Sequence, residues 1–335
     1  MEKLQKRLFW VAGTGLLLVG VFGWYARLVD GHADANYSSV IPWGLWIAVY
    51  IYFIGLSAGA FLISSLVYVF RVKRFESIGR VALFTALVTL FLALLSVWAD
   101  LGHMERFWHV FVYPNFRSPM AWMIWLYTTY FVLLAVELWF LLRRDLAVGR
   151  QGSDWKARVY RVLALGTKET SEASVARDRR VVRVLATIGV PVAVMFHGGV
   201  GALFGVVAAR PAWHSGLFPI LFLLSALASG GALLTIITAI FQDGWRQNRA
   251  TVVALGRLVL LLLALDVLFQ FSEILIGVYG SDPAYLRSLE LVVAGPYWYV
   301  FWFVQIGLGL LVPLALLATP LRHDPRAVVV GCGAV

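Results

Sequence analysis

Apolar residues in this chain come in long unbroken runs, parted by short segments that collect nearly all the charge. Eight runs approach the roughly 20 residues that a helix needs to cross a bilayer. They are Leu8–Leu28, Trp43–Phe70, Arg80–Asp100, Met120–Leu142, Val181–Val207, Leu217–Phe241, Thr251–Val278 and Tyr297–Thr319. None shows the period-2 alternation of a barrel strand. The pattern predicts an all-α polytopic membrane protein. The last residues, Ala327 to Val335, are again apolar and predict the start of a ninth helix, with the chain cut short. The first run follows a basic N-terminus but lacks a small-x-small cleavage site, so it is read as a retained helix.

A weak internal repeat divides the spans. Gly79-Arg80 opens the third and Gly256-Arg257 the seventh; Pro119 and Pro296, and Trp125 and Trp302, recur at the same offset. Leu56-Ser57-Ala58-Gly59 resembles Leu227-Ala228-Ser229-Gly230 at a slightly shorter one. The expected organisation is two four-helix bundles, 1–150 and 184–320, joined by a basic loop at 151–183 and followed by 321–335. Within the loop, Trp155, Val159, Val162 and Leu163 have helical spacing and predict a helix lying on the membrane surface.

Composition agrees: 61% hydrophobic, 14% charged, mean hydropathy +0.82. A soluble domain carries about a quarter charged residues. The net charge of +10 is distributed by topology and not as a nucleic-acid-binding patch. All but five of the 28 Lys and Arg fall on one side of the predicted spans; the exceptions are Arg27, Arg106, Arg117, Arg210 and Arg287. By the positive-inside rule the N-terminus is cytoplasmic and the 100–119 segment faces outward. That is the arrangement of a multi-pass membrane protein.

The chemistry is bounded by what is scarce. A single cysteine, Cys332, cannot hold an iron–sulfur cluster. Of six histidines, His197 alone lies within a span, so a haem held between spanning helices is not expected, nor a metal site. Without a relay through the lipid, any redox chemistry must begin and end on one side.

Two groups of residues remain. The first is the outer segment Asp100-Leu-Gly-His-Met-Glu-Arg-Phe-Trp-His109, where Asp100, His103, Arg106 and His109 crowd among aromatic residues. Histidine exchanges protons near neutrality and arginine hydrogen-bonds oxyanions in fixed geometry. Reducing a quinone requires two protons with its two electrons, so this segment is read as a quinone site beneath a docked redox partner. Tyr50 and Tyr52, in the outer part of the second span, offer phenol donors nearby. The plainer alternative is a solvated loop with an interfacial aromatic belt.

The second group lies inside the bilayer, where ionisable residues are costly and functional by default. Asp266, Gln270 and Glu273 share one face of the seventh span at i, i+4, i+7. His197 lies in the fifth span and Glu137 near the inner end of the fourth. These four ionisable residues, Asp266, Glu273, His197 and Glu137, are candidates for a proton path. Alternatively they pair with one another or with Arg257 to fix helix packing.

The sequence resembles the NrfD family, the membrane subunits of polysulfide reductase, nitrite reductase and related respiratory complexes. The resemblance rests on Trp43-Gly-Leu-Trp, Gly55-Leu-Ser-Ala-Gly, the Asp100–His109 segment and Pro114-Asn-Phe-Arg-Ser-Pro-Met-Ala-Trp. Phe196-His-Gly-Gly-Val-Gly-Ala-Leu-Phe and Trp213-His-Ser-Gly-Leu-Phe-Pro-Ile-Leu-Phe extend it. It is most similar to the longer, ten-helix branch that includes hydrogenase membrane subunits. The resemblance implies a subunit without haem, iron–sulfur cluster or metal of its own. Such a subunit exchanges electrons between quinone (menaquinone or ubiquinone) and a periplasmic ferredoxin-like iron–sulfur subunit, which serves a further catalytic redox subunit. It also implies that Tyr50, ahead of the Gly-Leu-x-x-Gly motif, contributes to the quinone site. An ion-coupled secondary transporter is the rival reading. Its cue would be helices broken at matching places, and Pro191 and Pro313 do not match.

Overall fold

The computed structural model describes residues 2–35, 37–38, 43–241 and 247–335. Arg246, the side chains of Lys3 and Lys6, and residues 39–42 of the outer loop lie outside the described set, so the sidedness argument is not tested at those positions.

Among the described residues, eight helices are long and apolar enough to span a membrane. They are α1 (Glu2–Val29), α2 (Leu45–Tyr68), α3 (Gly79–Asp100), α4 (Pro119–Gly149), α6 (Glu172–Gly205), α7 (Phe218–Phe241), α8 (Arg249–Tyr279) and α10 (Val300–Leu317). Between them lie α5 (Trp155–Leu163) and α9 (Pro283–Val293); α11 (Pro325–Ala334) closes the described chain. The protein is therefore a multi-pass, all-α membrane protein.

Polar side chains start the helices that begin outside the apolar layer. Asp154 accepts from the Ala157 amide at 2.9 Å, Ser171 from Ser174 at 3.3 Å, Asp282 from Ala284 at 2.9 Å and Asp324 from Arg326 at 3.0 Å. Each satisfies an amide that the helix leaves orphaned. The Ser171 cap explains why α6 starts well before its apolar run: charged residues 172–180 continue the same helix out of the bilayer. α5 keeps Trp155 and Val162 exposed, the apolar face expected of a surface-lying helix. α9 was not foreseen, because 279–296 reads as a loop; Asp282 and Pro283 supply its cap and first turn. The outer part of α10, Val300–Leu311, is wound as a π-helix.

Helices α2, α3, α4 and α6 contact one another in a closed ring, and α7, α8, α10 and α11 do so in the same order. The sequence-based boundary near residue 150 falls inside the first ring, which takes α6 from the far side of it. α1 stands apart from both rings. Its outer end is held by Trp24 between Trp46 and Trp98, and by Arg27, which donates to Ala99 O and Leu101 O at 2.6 Å each.

The rings meet where α2 crosses α7. Gly59 and Gly230, matched positions of the repeat, lie directly against each other: a Cβ on Gly230 would come within 2.5 Å of Gly59 Cα. Small residues give such crossings their close approach. At the other end of the ring, Arg143 of α4 donates to Asp178 of α6 at 2.7 Å and also bonds Ser174, all three buried. α2 ends with the Val72 amide reaching back to Leu66 O at 2.9 Å, which puts Arg71 at φ 55°. That left-handed conformation costs a residue other than glycine roughly 1–2 kcal/mol.

Candidate functional site

The expected site residues separate into three places. Asp100 ends α3 and accepts a hydrogen bond from the Tyr37 hydroxyl at 2.6 Å. Burial and this carboxylate together push the Tyr37 phenol up to about 12. The neutral phenol is the donor, so the contact is intact below the ordinary tyrosine range and is lost as pH rises through about 12. Spectrophotometric titration of the Tyr37→Phe protein should show one ionising tyrosine fewer near 12 than wild type; an unchanged titration in that variant would contradict the assignment.

Beyond Asp100 the chain leaves the bundle. His103 approaches Glu105 at 3.2 Å and Arg106 approaches it at 3.6 Å, with all three side chains at least 60% exposed. Hydrogen bonding from its own backbone, then from His103, with the nearby Arg106 charge, holds the Glu105 carboxyl below its ordinary range. His109 lies edge-on to Trp108 and Tyr113, both also exposed. Asp100, His103, Arg106 and His109 thus share one end of the molecule, but they form an open charged and aromatic surface and not an enclosed pocket.

Tyr50 is elsewhere, buried inside the first ring. Its ring packs edge-on against Tyr127 at 6.0 Å, and Tyr127 in turn packs against Phe196 at 4.5 Å. The Tyr127 hydroxyl is buried and has no hydrogen-bond partner among the described residues. Trp43, stacked on Trp213 at 6.1 Å and edge-on to Phe204, belongs to the same core. Further along α4, both carboxyl oxygens of Glu137 are buried without a partner among the described residues. Tyr52, two residues from Tyr50, faces the other way and is 61% exposed.

The third place is a cavity of about 800 Å³ bounded by α2, α6, α7, α8, α9, α10 and α11. It brings together His197, Asp266 and Glu273, three of the four proton-path candidates; Glu137 is not among its walls. Asp266 accepts from Ser225 and from Gln270, both at 2.6 Å, and Glu273 accepts from Ser215 at 2.7 Å. No bond to Arg257 is present among the described residues; the partners are hydroxyl and amide groups from α7, α8 and the segment before α7. His197 has Nδ1 at 2.7 Å from Ala193 O and Nε2 at 2.9 Å from Ile54 O. A neutral ring can donate to one of these carbonyls; a doubly protonated ring donates to both. Among the described residues no group of three or more His, Cys, Asp or Glu side chains could hold a metal ion.

Sequence reasoning missed Tyr127 and Ser225. A tyrosine or serine inside an apolar run is indistinguishable from core filler until its neighbours are known.

The molecule is a helix bundle with polar groups converging inside it and a broad aromatic, charged face at one end. Comparison with known proteins makes the class specific. The chain belongs to the NrfD family: the model described as "Polysulphide reductase, NrfD" matches residues 34–335. It is 40% identical to a selenate reductase subunit of Mesobacillus selenatarsenatis, over 94% of this chain and 75% of that one. It is 31% identical to a putative dimethyl sulfoxide reductase membrane subunit of Halobacterium salinarum, over 96% and 72%. To the integral membrane subunit of menaquinone reductase of Nitratidesulfovibrio vulgaris it is 23% identical, over 96% and 76%. The chain is a membrane subunit of the oxidoreductase type, and a transporter is not favoured.

Proposed function

We propose that this chain exchanges electrons between membrane quinone, menaquinone or ubiquinone, and a ferredoxin-like iron–sulfur subunit docked on the exposed end, which serves a further catalytic redox subunit. The carrying observation is the Tyr127 hydroxyl, a donor buried beside Tyr50 with no acceptor among the described residues. A buried donor is ordinarily satisfied, and a quinone carbonyl is an acceptor that would satisfy it. One relative is named for menaquinone reduction, which supports the substrate class.

In this reading the Asp100–His109 surface receives the partner. His103, Arg106 and His109 complement a charged partner face, and the two histidines exchange protons with the outer water. Conversion of a quinone to its quinol takes up two electrons from the partner and two protons; the reverse releases them. Tyr127 and Tyr50 orient the carbonyl group. His197, Asp266, Glu273 and Glu137 are assigned to proton movement, with His197 alternating between one and two ring protons. The charge asymmetry supports a bacterial cytoplasmic membrane with the N-terminus cytoplasmic and the partner periplasmic. The two contact rings, 45–205 and 218–335, are the two four-helix halves of this reading.

Isolation from native membranes is the test. The chain should elute with a brown iron–sulfur protein, and the complex should turn over a short-chain quinone analogue. Elution alone, with no quinone-coupled turnover in any fraction, would overturn the proposal.

A further inference from the structure

We infer that the charged end of the first ring holds the phosphate headgroup of an anionic phospholipid. A cavity of about 500 Å³ opens where α2 ends, α3 begins, α4 ends and α6 begins. Six cations line it: Arg71, Lys73, Arg80, Arg144, Arg179 and Arg183. Two are committed to carboxylates, Arg80 to Asp145 at 2.8 Å and Arg144 to Glu172 at 3.2 Å. Arg71, Lys73, Arg179 and Arg183 form no ion pair among the described residues and are exposed. The wall also carries Glu76 and Asp178, and Asp178 is already bonded to Arg143. The balance left in the cavity is positive, drawn from two separate stretches of chain, 71–73 and 179–183.

Beneath the cations the cavity is apolar, lined by Val67, Phe140, Leu141 and Val182. All four lie on spanning helices, so the apolar side continues toward the hydrocarbon layer. A phosphodiester carried on acyl chains matches both halves of this surface. Basic pockets between spanning helices at a membrane interface bind such headgroups.

Arg71 occupies a left-handed turn, φ 55°, that glycine would occupy without strain. The turn that ends α2 places the Arg71 side chain on the cavity wall. The same outlier makes a clean probe, because Arg71→Gly removes the charge while relaxing the backbone.

The inference stands apart from the quinone reading and would survive its failure. The test is native mass spectrometry of the purified complex in detergent doped with cardiolipin, phosphatidylglycerol or phosphatidylcholine, with inorganic phosphate as a separate arm. Wild-type protein should retain cardiolipin or phosphatidylglycerol over phosphatidylcholine. Arg71→Gly and Arg183→Gln should each weaken retention about fivefold, with the double variant losing more. Equal retention of all three lipids, or retention unchanged in both variants, would overturn the inference. Displacement of the lipid by millimolar inorganic phosphate would overturn it as well, since the site would then belong to the free anion.

Discussion

Replacing Tyr127 by phenylalanine should lower the quinone-coupled turnover of the assembled complex roughly 10²-fold, while the partner's activity with a water-soluble dye persists. The substitution removes one oxygen and leaves the ring that packs on Tyr50 and Phe196. Because that hydroxyl has no partner among the described residues, its loss should leave the melting temperature unchanged or raise it. A merely structural tyrosine would show the opposite: lower stability and little selective effect on quinone. Tyr50→Phe, in edge contact with it, should reduce the same activity. The two readouts separate the outcomes. If both variants retain wild-type quinone turnover, the headgroup does not sit in the first ring, and the cavity beside Asp266 becomes the position to probe.

What the sequence made legible follows from how far each signal reaches. Eight spans were readable because a bilayer demands some 20 consecutive apolar residues, and no tertiary contact can override that demand. The face shared by Asp266, Gln270 and Glu273 was readable because helical periodicity fixes it, and all three line one cavity. The start of α6 was not: a hydropathy boundary marks where the lipid stops, whereas the helix runs on through its charged residues to the Ser171 cap. The outer segment shows a different limit. A density of His, Arg and Asp says that chemistry is available but not whether it is enclosed, and His103 and Glu105 turn out two-thirds exposed. The unpartnered hydroxyl of Tyr127 and the left-handed Arg71 have no sequence signature, since each is defined by what surrounds it.

The α2–α7 crossing should be the least tolerant place in the molecule. A Cβ at Gly59 would run into Ala226 O and come within 2.7 Å of Gly230 Cα and 3.0 Å of Gly230 N. These obstacles are backbone atoms, which no rotamer change can move, so the helices themselves must part. Gly59→Ala should therefore cost about 1–3 kcal/mol, and Gly59→Leu should abolish recovery of a monodisperse protein. Gly198→Ala, in α6 with nothing within 4 Å of its Cβ, is the control and should be stabilising by roughly 0.5–1 kcal/mol. Thermal unfolding followed by size-exclusion chromatography in detergent reads both effects; a Gly59→Ala protein melting with wild type would show that the rings are not held together here. The consequence extends beyond stability, because the His197 ring spans the same region, with Nε2 on Ile54 O of α2 and Nδ1 on Ala193 O of α6. Displacing α2 would stretch the contact to Ile54 O, so the close packing at Gly59 and the proton capacity of His197 depend on the same helix position.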